Sequence, residues 1–132
     1  MAVWEMNHFT VLTNDLEKTK EFYISLLGLK EGFRPAFQDA GAWLYAGDRA
    51  VLHVMADCKL PAEPAGVLDH MAFSATGLVD VAARLDELGI KYLLKRQVTN
   101  RQLQLFCHDP NGAKVELDFV PDEALPASAS GL

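Results

Sequence analysis

Cysteine is scarce in this sequence: Cys58 and Cys107 stand alone, with no C-x-x-C pair. Two thiols so spaced form no disulfide framework, which excludes a small cross-linked scaffold. Reduced thiols and a cytoplasmic location are the expectation. Long hydrophobic runs are missing too. No stretch approaches the roughly 20 apolar residues of a membrane span, and the opening MAVWEMNHF lacks the basic start and apolar core of a secretory leader. Positive charge is in deficit, with 12 Lys and Arg against 18 Asp and Glu, a formal net charge of −6. General nucleic-acid binding needs a basic face for phosphates and is therefore not expected. What remains is a 132-residue chain, 50% hydrophobic and 23% charged, enough for one domain with a real core.

What the chain does have is an internal repeat. The run NHFTVLTNDLEKTKEFYISLLGLKEGF can be laid on DHMAFSATGLVDVAARLDELGIKYLL. Each starts with a polar residue and a histidine, passes through an alternating apolar strand, and enters a helical pattern closed by glycine. In the first copy Asn14 or Asp15 can cap the helix start. Leu16, Phe22, Tyr23, Leu26 and Leu27 then form an apolar stripe, ended by Gly28. In the second the stripe is Leu78, Val81, Ala82, Leu85 and Leu88, ended by Gly89. His8 and His70 lie 62 positions apart.

Three strand candidates follow each helix, near 30–37, 42–46 and 50–56, then near 91–97, 103–108 and 113–119. AGDR and DPNG are the matching turns, the latter strong turn chemistry. The expectation is an α+β fold: two βαβββ modules whose mixed sheet curves into a cup, with helices on the outer face. The first module spans 1–58, a Pro/Ala/Gly-rich linker 59–67, the second module 68–120, and an aperiodic tail 121–132, expected to fray.

Strand parity then sorts the polar residues. Val115, Leu117 and Phe119 share one face of VELDF, while Lys114, Glu116 and Asp118 share the other. The same alternation puts His8, His53 and His70 opposite the apolar faces of their strands. If the second face of each strand lines a cavity, a bare carboxylate at Glu116 is costly and needs a partner. Three imidazoles and a carboxylate at repeat-matched positions form a metal constellation, suited to Fe(II) or Mn(II) and also to Ni(II) or Zn(II). Each residue alone has an ordinary explanation, as a surface histidine or a solvated strand carboxylate. The joint pattern is what favours a metal. Trp43, Tyr45, Phe33, Phe37 and Phe106 can supply aromatic walls, with Gln104 beside them, although such rings equally serve as core. Cys107 reads as a strand residue and His108 as an exposed one.

The residues NHFTVLTNDLEKTKEFYISLLGL, DHMAFSATGLVDVAARLDELGI and LFCHDPNGAKVEL resemble the vicinal oxygen chelate superfamily over about residues 4–120. That superfamily includes glyoxalase I, ring-cleaving extradiol dioxygenases, fosfomycin-resistance enzymes and bleomycin-resistance proteins. The resemblance implies metal ligands at His8, His70 and Glu116, a small-molecule substrate chelating the ion through vicinal oxygens, and a homodimer. It implies a divalent ion, Fe(II) or Mn(II) first, with Ni(II) or Zn(II) as alternatives. His53 stands where glyoxalase I has a carboxylate, and it resembles the acid–base histidine of the extradiol enzymes. Phe106 stands where those enzymes often carry tyrosine. Trp43, Tyr45, Gln104 and Phe106 would face substrate. A one-domain dioxygenase-type oxidoreductase is the first expectation. A glyoxalase-type lyase or isomerase is the second, and a metal-free antibiotic-binding protein the third.

Overall fold

The computed structural model describes residues 2–3, 5–66 and 68–132 and divides into two compact units, Met1–Pro64 and Ala65–Leu132. In the first unit β1 (Phe9–Leu12) leads into α1 (Leu16–Glu21), which runs on as a π-helical turn at Phe22–Leu26. β2 (Lys30–Gly32), β3 (Gly41–Ala46) and β4 (Arg49–Met55) follow. The second unit repeats the order with β5 (Met71–Ser74), α2 (Leu78–Glu87), β6 (Leu93–Arg96), β7 (Leu103–His108) and β8 (Lys114–Phe119). Each unit is one βαβββ module, as the repeat predicts. Its sheet runs β1-β4-β3-β2 or β5-β8-β7-β6. The opening strand lies parallel to the closing one and the other pairings are antiparallel. The parallel pair needs a long crossover, and the helix supplies it.

Local chemistry explains the helix ends. Asp15 caps α1, its carboxylate accepting from the Lys18 amide at 3.1 Å. Thr13 Oγ1 accepts from the Asp15 amide and shares a buried 2.9 Å hydrogen bond with Thr19. The π-helical turn buries Phe22, Tyr23 and Leu26, and the same unit's sheet buries Leu44, Leu52 and Val54. Gly28 and Gly89 end the two helical segments in the left-handed region, at φ 73° and 67°, where a Cβ would be strained. In the second unit α2 buries Leu78, Ala82 and Leu85, and the sheet buries Leu103, Leu105, Val115, Leu117 and Phe119.

Two features lie outside what the alternating pattern signals. The strand expected over 30–37 stops at Gly32. The Phe33 carbonyl accepts from the Tyr45 hydroxyl at 2.6 Å, and Arg34 turns away to bind the Asp39 carbonyl and carboxylate at 3.1 and 3.2 Å. Pro35, with no amide hydrogen, cannot return to the ladder. Arg96, 62 residues after Arg34, likewise binds the Arg101 and Pro121 carbonyls at 2.9 and 3.0 Å. Each arginine thus ties down the connection into the third strand of its module. The second feature is the tail. Gly77, the N-cap of α2, offers no side chain, and Glu123 caps the helix instead. Its Oε1 accepts from the Gly77 and Leu78 amides at 2.7 and 3.1 Å. The residues expected to fray therefore hold a helix N-terminus, and a short 3₁₀ turn at Ala127–Ala129 follows.

Candidate functional site

The DPNG turn sets the register from which the second unit's polar face is built. Asp109 Oδ1 accepts from the Asn111 and Ala113 amides, each at 2.8 Å, and Gly112 takes φ 92°. β8 then pairs Glu116 with Phe106 and Asp118 with Gln104 on β7. On its other side β8 pairs Glu116 with Ala72 of β5. His70, one residue ahead of β5, is therefore the diagonal neighbour of Glu116 on the same face.

Glu116 does not face solvent; it is 6% exposed. Its Oε1 accepts from Gln104 Nε2 at 2.6 Å, and its Oε2 lies 2.7 Å from His70 Nε2. The other ring nitrogen, His70 Nδ1, lies 2.8 Å from Asp69 Oδ2. A neutral imidazole donating from Nδ1 to Asp69 turns its Nε2 lone pair on Glu116, acceptor against acceptor. A shared proton or a cation relieves that conflict. Asp118 adds to the negative charge: its Oδ1 is buried with no hydrogen-bond partner. Burial first, and then Glu116, push its carboxyl above the ordinary range. Asp69 is held below the ordinary carboxylate range by His70 first and Lys114 next.

His70 and Glu116 suit two neighbouring positions of a divalent ion. Two donors about 2.1 Å from one cation and at right angles lie about 3.0 Å apart, against 2.7 Å here between Nε2 and Oε2. The carboxylate on His70 Nδ1 is the usual outer partner of a ligating imidazole, fixing its tautomer and ring plane. Asp69→Ala is accordingly expected to weaken divalent-ion affinity by about tenfold or more. Zn(II) titration calorimetry checks this, and Asp69→Asn should recover most of the loss if positioning is the role.

In the first unit the equivalent diagonal pair is His8 and His53, since β1 pairs Thr10 with His53. His8 Nδ1 is held by Asn7 Oδ1 at 2.6 Å, matching Asp69 on His70. The His53 ring is the centre of a parallel stack. His8 lies against it with centroids 3.7 Å apart, and Trp43 with centroids 4.0 Å apart. Burial first, and then His8, lower the His53 pKa below the ordinary imidazole value. Phe37 leans on Trp43 at 6.1 Å, with the Arg34 guanidinium over the Phe37 ring at 4.8 Å.

Of the residues singled out from the sequence, then, His8, His53 and Trp43 gather in the first unit, and His70, Glu116, Gln104 and Phe106 in the second. Tyr45 is tied instead to the Phe33 carbonyl. Among the described residues, no three His, Cys, Asp or Glu side chains form a group that could hold a metal. Alternation puts Lys114 and Asp118 on the face of Glu116 without giving them a role, and nothing in the sequence singles out Asp69, Asn7 or Lys95. The polar residue before each repeat histidine was visible, but its hold on Nδ1 depends on a side-chain rotamer. Cys107 is buried. Burial pushes its thiol up to about 11, so it stays neutral near pH 7 and is no nucleophile.

Comparison with known proteins follows the same lines. The family model of the Glyoxalase/Bleomycin resistance protein/Dioxygenase superfamily matches residues 5–117. A protein of Arabidopsis thaliana named Glyoxylase I 4 is 31% identical over 120 residues, covering 85% of this chain and 68% of its own. The crystal structure of a glyoxalase family protein from Enterococcus faecalis is 28% identical with a TM-score of 0.65, covering 89% of this chain and 99% of that one. A mutant of the fosfomycin resistance protein FosX from Listeria monocytogenes, complexed with Mn(II) and 1S,2S-dihydroxypropylphosphonic acid, shares the fold. Its TM-score is 0.73 at 16% identity, covering 89% of this chain and 93% of that one.

Proposed function

We propose a divalent-metal-dependent enzymatic activity for this chain, because it belongs to the Glyoxalase/Bleomycin resistance protein/Dioxygenase superfamily. The observation that carries the reading is the 2.7 Å approach of His70 Nε2 to the buried Glu116 carboxylate, with Asp69 behind the imidazole. His70 and Glu116 would hold the ion, and His8, the repeat equivalent of His70, would be its third protein ligand; a homodimer is the expected assembly. Bound there, the ion supplies Lewis acidity toward a small substrate that presents two vicinal oxygens. Gln104 keeps Glu116 oriented by holding its second oxygen. His53, its ring plane fixed between Trp43 and His8, carries the substrate proton. Trp43 and Phe106 would supply apolar wall to the substrate.

The finer reading is a lyase or isomerase of glyoxalase type, favoured by the named relative that is 31% identical across 85% of the chain. Ring-cleaving dioxygenase chemistry is the second reading, and His53 favours it, since an imidazole stands where glyoxalase I has a carboxylate. Anaerobic loading with Fe(II), Mn(II), Ni(II) or Zn(II), followed by two assays, separates them. Hemithioacetal turnover is the result expected. Oxygen uptake on catechols would establish the dioxygenase reading instead. A chain that takes up no metal yet binds a drug-like ligand would be an antibiotic-binding protein and would contradict both.

A further inference from the structure

The face of the second unit that carries His70 and Glu116 also gathers positive charge around one ring. β6 pairs Lys95 with Gln104, and Phe106 is two residues further along β7. Lys95 and Phe106 are therefore diagonal neighbours on one face. The Lys95 ammonium stands 5.0 Å from the Phe106 ring centroid. From the strand on the other side, the Lys114 ammonium stands 5.2 Å from the same centroid. The His70 ring meets Phe106 edge-on, with centroids 6.0 Å apart. Phe106 thus links the two cations to the imidazole of the candidate metal pair. Lys114 pairs with one carboxylate, Asp69 Oδ2 at 3.5 Å. Lys95 is exposed, and among the described residues its contact is the ring, with no carboxylate at ion-pair distance. Two ammonium groups around one ring repel each other, and the ring's quadrupole offsets only part of that. An anion drawn to the face they share would relieve it.

We propose that Lys95 and Lys114, set around Phe106, form a subsite for a carboxylate carried by the substrate. The inference rests on the metal-centred reading above and narrows its substrate class. The molecule offers two vicinal oxygens at one end and a carboxylate at the other, with an apolar segment between them against Phe106. A neutral diol or hydroxyketone would leave Lys95 without an anionic partner and Lys114 with Asp69 alone.

A matched pair of probes tests this on the full chain. 3,4-Dihydroxyphenylacetate and 4-methylcatechol share one chelating end and differ in the carboxylate. Binding to the Zn(II)-loaded protein is measured by calorimetry under anaerobic conditions. The carboxylated probe is expected to bind about tenfold tighter, Lys95→Met to lose about threefold to fivefold of that, and Lys95→Met/Lys114→Met to remove the preference. Zn(II) affinity of Lys95→Met and its binding of 4-methylcatechol should match wild type. Equal binding of the two probes to wild type, or a preference that survives in the double variant, overturns the proposal. If the protein takes up no Zn(II), the metal-centred reading fails by itself, and the subsite is read on the metal-free chain by NMR. There 3,4-dihydroxyphenylacetate should move the amide signals of Lys95, Phe106 and Lys114 while 4-methylcatechol does not. Absence of that difference overturns the subsite independently.

Discussion

Glu116→Gln is expected to lower divalent-ion affinity roughly 100-fold or more, beyond the loss from an outer-shell partner such as Asp69. The substitution keeps the side chain's shape, so the 6% exposed position stays filled. It removes the charge that pays for an ion at this place and replaces one anionic oxygen with an amide. The Gln104 amide can still donate to the remaining carbonyl oxygen, so the strand pairing of β7 with β8 is not disturbed. Zn(II) or Mn(II) titration of the purified chain, with circular dichroism as the fold control, reads the effect. Unchanged affinity would mean that Glu116 is buried for packing and that the His70 contact is an ordinary hydrogen bond.

The second large effect is expected at His53. His53→Phe keeps a planar ring between Trp43 and His8 and so preserves the stack, with centroids at 3.7 and 4.0 Å in the native chain. What it removes is the nitrogen that can carry a proton. Turnover should fall by about 10²–10⁴-fold, the usual worth of a positioned acid–base group, while metal affinity stays at the native value. His53→Ala should lose the same turnover and also loosen Trp43. A collapse of metal affinity in His53→Phe, as deep as in Glu116→Gln, would make His53 a ligand instead. Turnover unaffected by either substitution would reduce His53 to a cavity wall.

The fold was largely legible because its signals are local and doubled. Period-two alternation identified Val115, Leu117 and Phe119 as the inner face of β8, and all three are buried. The DPNG turn and the closing glycines at 28 and 89 mark element ends through backbone chemistry that needs no tertiary context. The repeat matches His8 with His70 and His53 with Glu116; the strand registers then make His8 and His53 one diagonal, and His70 and Glu116 the equivalent one in the second sheet. What was not legible depends on groups distant in sequence. Glu123 caps α2 from 46 residues beyond Gly77, where the sequence offers only an aperiodic tail. The early end of β2 follows from Arg34 reaching Asp39, a side-chain choice that competes with the ladder. The hydrogen bond from the Tyr45 hydroxyl to the Phe33 carbonyl likewise has no local signal in the sequence. Asp69 and Asn7 were visible only as polar neighbours of histidines. Their meaning rests on a rotamer that brings an oxygen to Nδ1, at 2.8 and 2.6 Å.

The most direct measurement is X-ray absorption at the metal edge of the Zn(II)-loaded chain, compared with its His8→Ala and Glu116→Gln variants. Two imidazole shells per ion in the native protein are expected, falling to one in His8→Ala, with an oxygen shell at about 2.0–2.2 Å weakened in Glu116→Gln. A spectrum with no imidazole scattering, or one that neither substitution changes, would place the ion elsewhere on the chain and contradict a centre built from the two repeat histidines and Glu116.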